Sequence, residues 1–200
     1  FYQCISNDLL KRTINRNVPK KQTILIPNGV NLNQFTPEKL ESKKKEEIRK
    51  KFNLSNRDKV IITTSRLAYK NAIDEVIFAL DYLPNNYKFL IFGIGELEKE
   101  LKTLVKEKKL DHRVIFAGVI DNKDLPVYLK SSDVFIRASR AEGFGNSFIE
   151  SMACGIPTIG TKIGGIPDFL FHKETGMIVK LDNPKDIAKQ IKTIVEDKTL

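Results

Sequence analysis

From residue 60 onward, short β-branched and aromatic runs alternate with stretches whose apolar positions recur every three or four residues. Val60-Ile61-Ile62-Thr63-Thr64 has no polar alternation, the pattern of a strand covered on both faces. Ile73, Val76, Ile77 and Leu80 follow at helical spacing. The same exchange repeats: a strand over 88–92, then a helical stripe of Leu97, Leu101, Leu104 and Val105; a strand over 114–116, then a short helix over 121–130; a strand over 134–136, then a helix over 146–154. Residues 157–160 and 177–179 read as two further strands. Asn183-Pro184 then caps a closing helix that carries Ile187, Ile191, Ile194 and Val195 on one face. Six strands exchanged with helices in this way predict an α/β fold, a Rossmann-like parallel sheet flanked by helices. Residues 1–37 are less regular: a helix near 8–16, a strand over 23–26 and a turn at Pro27-Asn28-Gly29.

Composition agrees with one globular unit. The 200 residues are 41 % hydrophobic and 30 % charged, enough apolar material for a core that needs neither disulfides nor a structural metal. Cys4 and Cys154 are the only cysteines, so a reducing compartment is the default. No apolar run approaches the ~20 residues of a membrane span, and no leader is visible. The chain opens in mid-phrase at Phe1, as a fragment of a longer protein would.

The net charge of +9 is lopsided. Residues 1–59 carry 14 Lys/Arg against 6 Asp/Glu, a net +8; the rest carry 20 against 19. Much of the excess lies in Lys43-Lys44-Lys45 and Arg49-Lys50-Lys51, on a helix expected over 38–52. A solvated helix explains it, with contact to an anionic membrane surface as the functional alternative. No aromatic residues interleave with these bases as they do in nucleic-acid-binding domains, so no nucleic-acid partner is expected.

Several chemistries are excluded. Gly93-Ile94-Gly95 begins a dinucleotide fingerprint, but Glu98 occupies the third glycine's place. Gly155 to Lys162 ends Gly-Thr-Lys, unlike a P-loop. There is no Gly-x-Ser-x-Gly elbow, no His-Glu-x-x-His and no Asp-x-Asp pair, and the two histidines, His112 and His172, sit in polar connections. In an open parallel sheet, ligands bind beyond the carboxyl ends of the strands. Arg66 stands there, with Lys70 nearby: two cations suited to a diphosphate. Ser139 to Glu150 follows a strand and opens a helix. In it, Gly143 and Gly145 allow close backbone approach, and Asn146 and Ser147 fall where free helix N–H groups bind anions. Glu142 and Glu150 flank that helix start with seven residues between them. They are acceptors for sugar hydroxyls or simply complements to the helix dipole. Arg140 is close enough in sequence to pair with Glu142.

Taken in order, these motifs resemble a known family. Pro27-Asn28-Gly29-Val30 with Phe35 and Pro37, Ser65-Arg66-Leu67 with Lys70-Asn71, Phe92-Gly93-Ile94-Gly95, Phe116-Ala117-Gly118, Glu142-Gly143-Phe144-Gly145 through Glu150 to Pro157, and Gly164-Gly165-Ile166-Pro167-Asp168 with Thr175-Gly176 are similar to the C-terminal, donor-binding domain of a GT-B glycosyltransferase. The class is the group 1 (family 4) retaining enzymes. The resemblance covers nearly all of residues 1–200 as a single domain, with the N-terminal acceptor-binding half absent. The Arg66-to-Lys70 gap is shorter than in much of the family, so Lys70 aligns less securely than Arg66.

The resemblance implies roles. Arg66 and Lys70 would neutralise the donor diphosphate as it leaves, helped by the N–H groups of Asn146 and Ser147. Glu142 would hold the transferred sugar, with Gly143, Phe144 and Gly145 around it. Glu150 would hold the ribose, and backbone beyond Gly118 the base. The donor would be a UDP- or GDP-type sugar, with no metal and no separate cofactor. Transfer would retain configuration at the anomeric carbon and pass to a saccharide or glycolipid acceptor. Expected partners are that acceptor and the missing N-terminal half, in the cytoplasm or at the inner membrane face. By itself the fragment is expected to bind donor without completing transfer. The rival readings are a same-fold sugar-nucleotide epimerase or phosphorylase and a non-catalytic nucleotide-sugar-binding module.

Overall fold

The computed structural model describes residues 1–197, so the last three positions of the expected 1–200 unit lie outside the described residues. The strands are β1 (Tyr2–Cys4), β2 (Thr23–Leu25), β3 (Lys59–Thr64), β4 (Tyr87–Phe92), β5 (Val114–Gly118), β6 (Val134–Arg137), β7 (Thr158–Thr161) and β8 (Met177–Val179). The helices are α1 (Asn7–Asn15), α2 (Ser42–Lys51), α3 (Ile73–Ala79), α4 (Glu98–Glu107), α5 (Leu125–Lys130), α6 (Asn146–Ala153) and α7 (Pro184–Glu196). All six strands expected after residue 60 form one parallel sheet in the order β5-β4-β3-β6-β7-β8. Successive connections run outward from β3 to β5, then return to β6 and run the other way. The direction reverses between β3 and β6, the point at which open parallel sheets bind ligands in a crevice beyond the carboxyl ends.

The unalternating strands are buried on both sides. In β3, Val60 and Ile62 enter one core and Ile61 the other; in β6, Phe135 enters one and Val134 and Ile136 the other. Ile73, Val76 and Ile77 of α3, Leu101 and Val105 of α4, and Ile187, Ile191 and Ile194 of α7 cover one face. Leu125 and Leu129 of α5, Phe148 of α6, and Phe35 and Leu54 from the segments flanking α2 cover the other. Helical spacing therefore predicts which side chains are buried because each helix has a sheet face to cover.

Helix ends follow their caps. Asn183 accepts from the Asp186 N–H at 3.0 Å, with Pro184 at the first helical position of α7. Loss of such a cap costs ~0.5–2 kcal/mol. Asn183→Ala is expected to lower stability by that amount and Asn183→Asp by much less, as read from urea midpoints. Two helices are shorter than expected. α2 starts at Ser42 because Glu41, at φ −55° and ψ 138°, lies outside the helical region. α5 starts at Leu125 because Asp121–Asp124 forms a turn closed by the Asp124 N–H on the Asp121 carbonyl.

β1 has no counterpart in the sequence reading. Three residues are too few for a periodic signal, and β1 is defined by its parallel pairing with β2. This small separate sheet carries α1 towards the main sheet. The Asn7 N–H donates to Asp168 Oδ2 at 2.7 Å, and Ser6 caps α1 through the Leu9 N–H. Arg113 is a second feature without a local signal. It is 3 % exposed, and its guanidinium donates to the carbonyls of Tyr87, Leu80, Leu83 and Pro84.

Candidate functional site at the strand-order reversal

The crevice is built from four strand-end segments. Beyond β3, the chain makes a tight 3-10 turn at Tyr69–Asn71 and leaves it through Ala72 at φ 50°. Beyond β4, Gly93-Ile94-Gly95 lies against that segment: a Cβ on Gly93 would fall 1.9 Å from the Ser65 carbonyl oxygen. The glycine pair is therefore explained by close backbone approach, and Leu67 and Ile94 are hydrogen-bonded at 3.0 Å across the gap. Beyond β6, residues 138–145 lead into α6, which has Gly145 at its cap and no side-chain cap bond. Beyond β7, Gly164 and Gly165 press on the backbone of Glu142 and Gly143.

Arg66 lies at this edge and is largely exposed, with Nε 3.1 Å from Glu96 Oε2. Both partners are more than half exposed, so solvent screens the pair and leaves the guanidinium easily redirected. Glu96 is held below the usual carboxylate range, first by its own backbone N–H and also by Arg66. Lys70 is exposed, and its carbonyl accepts from the Arg140 and Ala141 N–H groups at 2.7 and 3.3 Å. That bridge joins the segment after β3 to the segment after β6.

Arg140 does not pair with Glu142, contrary to the expectation from sequence. Its guanidinium takes Asp74 at 3.0 and 2.9 Å, Glu75 at 3.2 Å and Asp182 at 3.0 Å, and lies 4.4 Å from the Tyr69 ring centroid. Asp74, more than any other neighbour, raises the Arg140 pKa. Burial, then Asp74, raises that of Glu75.

The partner of Glu142 is Arg137, the last residue of β6, which sequence reasoning passed over. Glu142 Oε2 binds Arg137 Nη2, and Oε1 accepts the Gly143 N–H at 3.0 Å. Arg137 also donates to Asn71 Oδ1 at 3.2 Å and to Ser147 Oγ at 2.8 Å. Asn71 in turn donates to the Arg66 carbonyl at 2.6 Å. One hydrogen-bonded chain thus runs from Arg66 through Asn71 and Arg137 to Glu142 and the first turn of α6. Burial lowers the Arg137 pKa, and Glu142 opposes the shift.

Glu150, one turn beyond Ser147, is half-buried and faces another loop. Burial raises its pKa, against a hydrogen bond from Asn122 that lowers it. Asn122 is held by Gln34, whose Nε2 donates to its carbonyl and to its Oδ1 at 2.7 and 2.6 Å. Gly118, at the end of β5, has φ 72°, and its carbonyl accepts from Gly93 at 2.8 Å. The Asn146 side chain is exposed and accepts from Asn28 at 2.9 Å. Phe144 turns its ring inward onto Phe169, centroids 5.3 Å apart, leaving only its backbone for a ligand.

Cys154, one turn beyond Glu150, is buried, and burial pushes its thiol up to about 11. It is expected to resist aromatic disulfide reagents at neutral pH and to react once urea unfolds the chain. Among the described residues no group of three or more His, Cys, Asp and Glu is arranged to hold a metal ion, and no helix is long and apolar enough to cross a membrane.

Residues 44–200 match the family described as glycosyl transferases group 1. The N-acetylgalactosamine-N,N'-diacetylbacillosaminyl-diphospho-undecaprenol 4-alpha-N-acetylgalactosaminyltransferase of Campylobacter jejuni is 33 % identical over 183 residues, 91 % of this chain and 46 % of that protein. The N-acetyl-alpha-D-glucosaminyl L-malate synthase of Bacillus anthracis is 31 % identical over 156 residues, 77 % of this chain and 40 % of that protein. Anabaena Alr3699/HepE, solved in complex with UDP-glucose, superposes with a TM-score of 0.90 at 25 % identity, over 98 % of this chain and 54 % of that one. The chain thus spans about half the length of these three proteins.

Proposed function

The chain belongs to the group 1 glycosyl transferases and has the fold of a GT-B glycosyltransferase domain; from that premise we propose that it is the donor-binding half of a retaining enzyme, with a nucleotide-diphosphate sugar in the crevice between β3 and β6. The observation that carries this reading is the hydrogen-bonded chain from the Arg66 carbonyl through Asn71 and Arg137 to Glu142 and Ser147. It ties a cation-bearing strand end to a carboxylate and an uncapped helix N-terminus across the reversal in strand order.

In this reading Arg66, Lys70 and the N–H groups of Asn146 and Ser147 meet the diphosphate and stabilise the charge it gains as its bond to the anomeric carbon breaks. Glu142 accepts hydroxyls of the transferred sugar. Glu150 accepts the ribose hydroxyls, and backbone beyond Gly118 meets the base. A UDP-type donor is favoured by the Anabaena protein's UDP-glucose, with GDP-type as the alternative. The diphospho-undecaprenol substrate in the Campylobacter enzyme's name supports a saccharide or glycolipid acceptor and work at the inner membrane face. Acceptor binding and complete transfer belong to the full enzyme, and transfer leaves the anomeric configuration unchanged.

Calorimetric titration with UDP, GDP, ADP and their glucose or mannose conjugates tests the donor site. Saturable binding of one nucleotide family is expected; binding of none would remove the reading. Proton NMR of the product anomer, with full-length enzyme, tests retention. Because burial raises the Glu150 pKa, protons compete for this carboxylate at a higher pH than for an ordinary one. Donor affinity is expected to be full at neutral pH and to fall on acidification. Glu150→Gln should flatten that profile. An unchanged profile would separate Glu150 from the ribose.

A further inference from the structure

Arg137 ends a central strand, yet its guanidinium is buried among Asn71, Ser139, Glu142 and Ser147. Its side chain and that of Glu142 are each only 10 % exposed. The fork is nearly saturated: Nη2 serves Glu142 and Asn71, Nη1 serves Ser147 and Nε reaches Ser139 Oγ at 3.4 Å. The Phe148 ring, 5.5 Å from the guanidinium carbon, closes one side. A cation this deep is costly unless paired and hydrogen-bonded, and a buried aliphatic residue would serve strand packing at least as well. What the guanidinium adds is geometry. It holds Glu142 Oε2 while the Gly143 N–H holds Oε1, so the carboxylate has one orientation and one lone pair per oxygen remaining. The same group also donates to the Ser147 hydroxyl, while the backbone N–H groups of Asn146 and Ser147 proposed for the diphosphate take no part in that bond.

We propose that Arg137 is a positioning residue for the transferred-sugar subsite, acting through Glu142. The proposal rests on the donor-site reading above and adds a residue to it. It makes a selective claim: losing the fork should weaken contact with the sugar and spare the nucleotide. Arg137→Lys keeps the charge and loses the planar fork, so it is the first variant; the double variant Arg137→Met/Glu142→Gln removes both charges, so that neither is left buried without its counter-charge.

The test is calorimetry on the whole chain with UDP and UDP-glucose, and in parallel with GDP and GDP-mannose. Arg137→Lys is expected to weaken the sugar conjugate about tenfold while the free nucleotide stays within about twofold. Glu142→Gln should lose the same sugar-specific increment, and Arg137→Met/Glu142→Gln should lose no more than Glu142→Gln alone. Equal weakening of nucleotide and conjugate by Arg137→Lys would assign Arg137 a purely structural role. So would losses that add in the double variant, and either result overturns the proposal while the donor site stands. No effect on either ligand overturns it as well. Failure of the unsubstituted chain to bind any probe removes the donor site and the proposal with it.

Discussion

Gly164→Ala is expected to destabilise the fold by about 2–5 kcal/mol, combining roughly 1–2 kcal/mol for a left-handed alanine with about 1–3 kcal/mol for forced overlap. Gly164 has φ 58°, and a Cβ there would fall 1.7 Å from the Glu142 carbonyl oxygen. That oxygen is backbone, so it cannot swing aside as a flexible side chain would. It also accepts the Gly165 N–H at 3.3 Å. Relief requires moving the loop that carries Glu142, so donor affinity should fall together with stability. Gly29→Ala is the matched control, because nothing lies within 4 Å of its added Cβ and its φ is not in the left-handed range. Urea unfolding of both variants is the measurement. Equal midpoints would mean that the contact between the two loops is looser than the structure has it.

Glu150→Ala is expected to weaken donor binding about 10- to 100-fold, the equivalent of ~1.5–3 kcal/mol for a hydrogen bond to a charged group. The loss should be the same for nucleotide and nucleotide sugar, since the ribose belongs to both. This separates Glu150 from Glu142, whose loss should touch the conjugate alone. Stability should not follow binding. The folded pKa of Glu150 is raised, so its protonated form is the one the fold favours. Its contribution to stability is present below the unfolded pKa and is lost as pH rises through the folded value. At neutral pH the ionised carboxylate therefore works against folding, and Glu150→Gln should be as stable as the unsubstituted chain or more so. Weak binding with an undiminished urea midpoint would place Glu150 in the ligand site; parallel losses would make it structural.

The two carboxylates of the motif thus differ in surroundings. Glu142 is tied to the sheet through Arg137, while Glu150 faces Asn122 in the loop after β5. Their spacing in sequence conveys none of this. A short loop and a single helical turn between them are enough to aim them at different neighbours.

Much of the architecture is local information. Strands such as Val60–Thr64 declare themselves because a doubly covered strand lacks the polar alternation of a half-exposed one, and α7 because its cap and stripe lie within thirteen residues. Once strands and helices are placed, the binding edge follows from the rule for open parallel sheets, so Arg66, Glu142 and Glu150 could be singled out without coordinates. The choice of partners is different. Arg140 is nearer to Glu142 in sequence than Arg137 is, yet α3 and the turn after β8, 66 and 42 positions away, claim its guanidinium. Arg137 looks like one more strand residue until Asn71, Ser147 and Phe148 are folded around it. Periodicity records which face a side chain leaves from, and the sequence alone determined that much. Which charge it meets depends on the desolvation and hydrogen bonding supplied by remote segments, and only the tertiary structure brings those segments together.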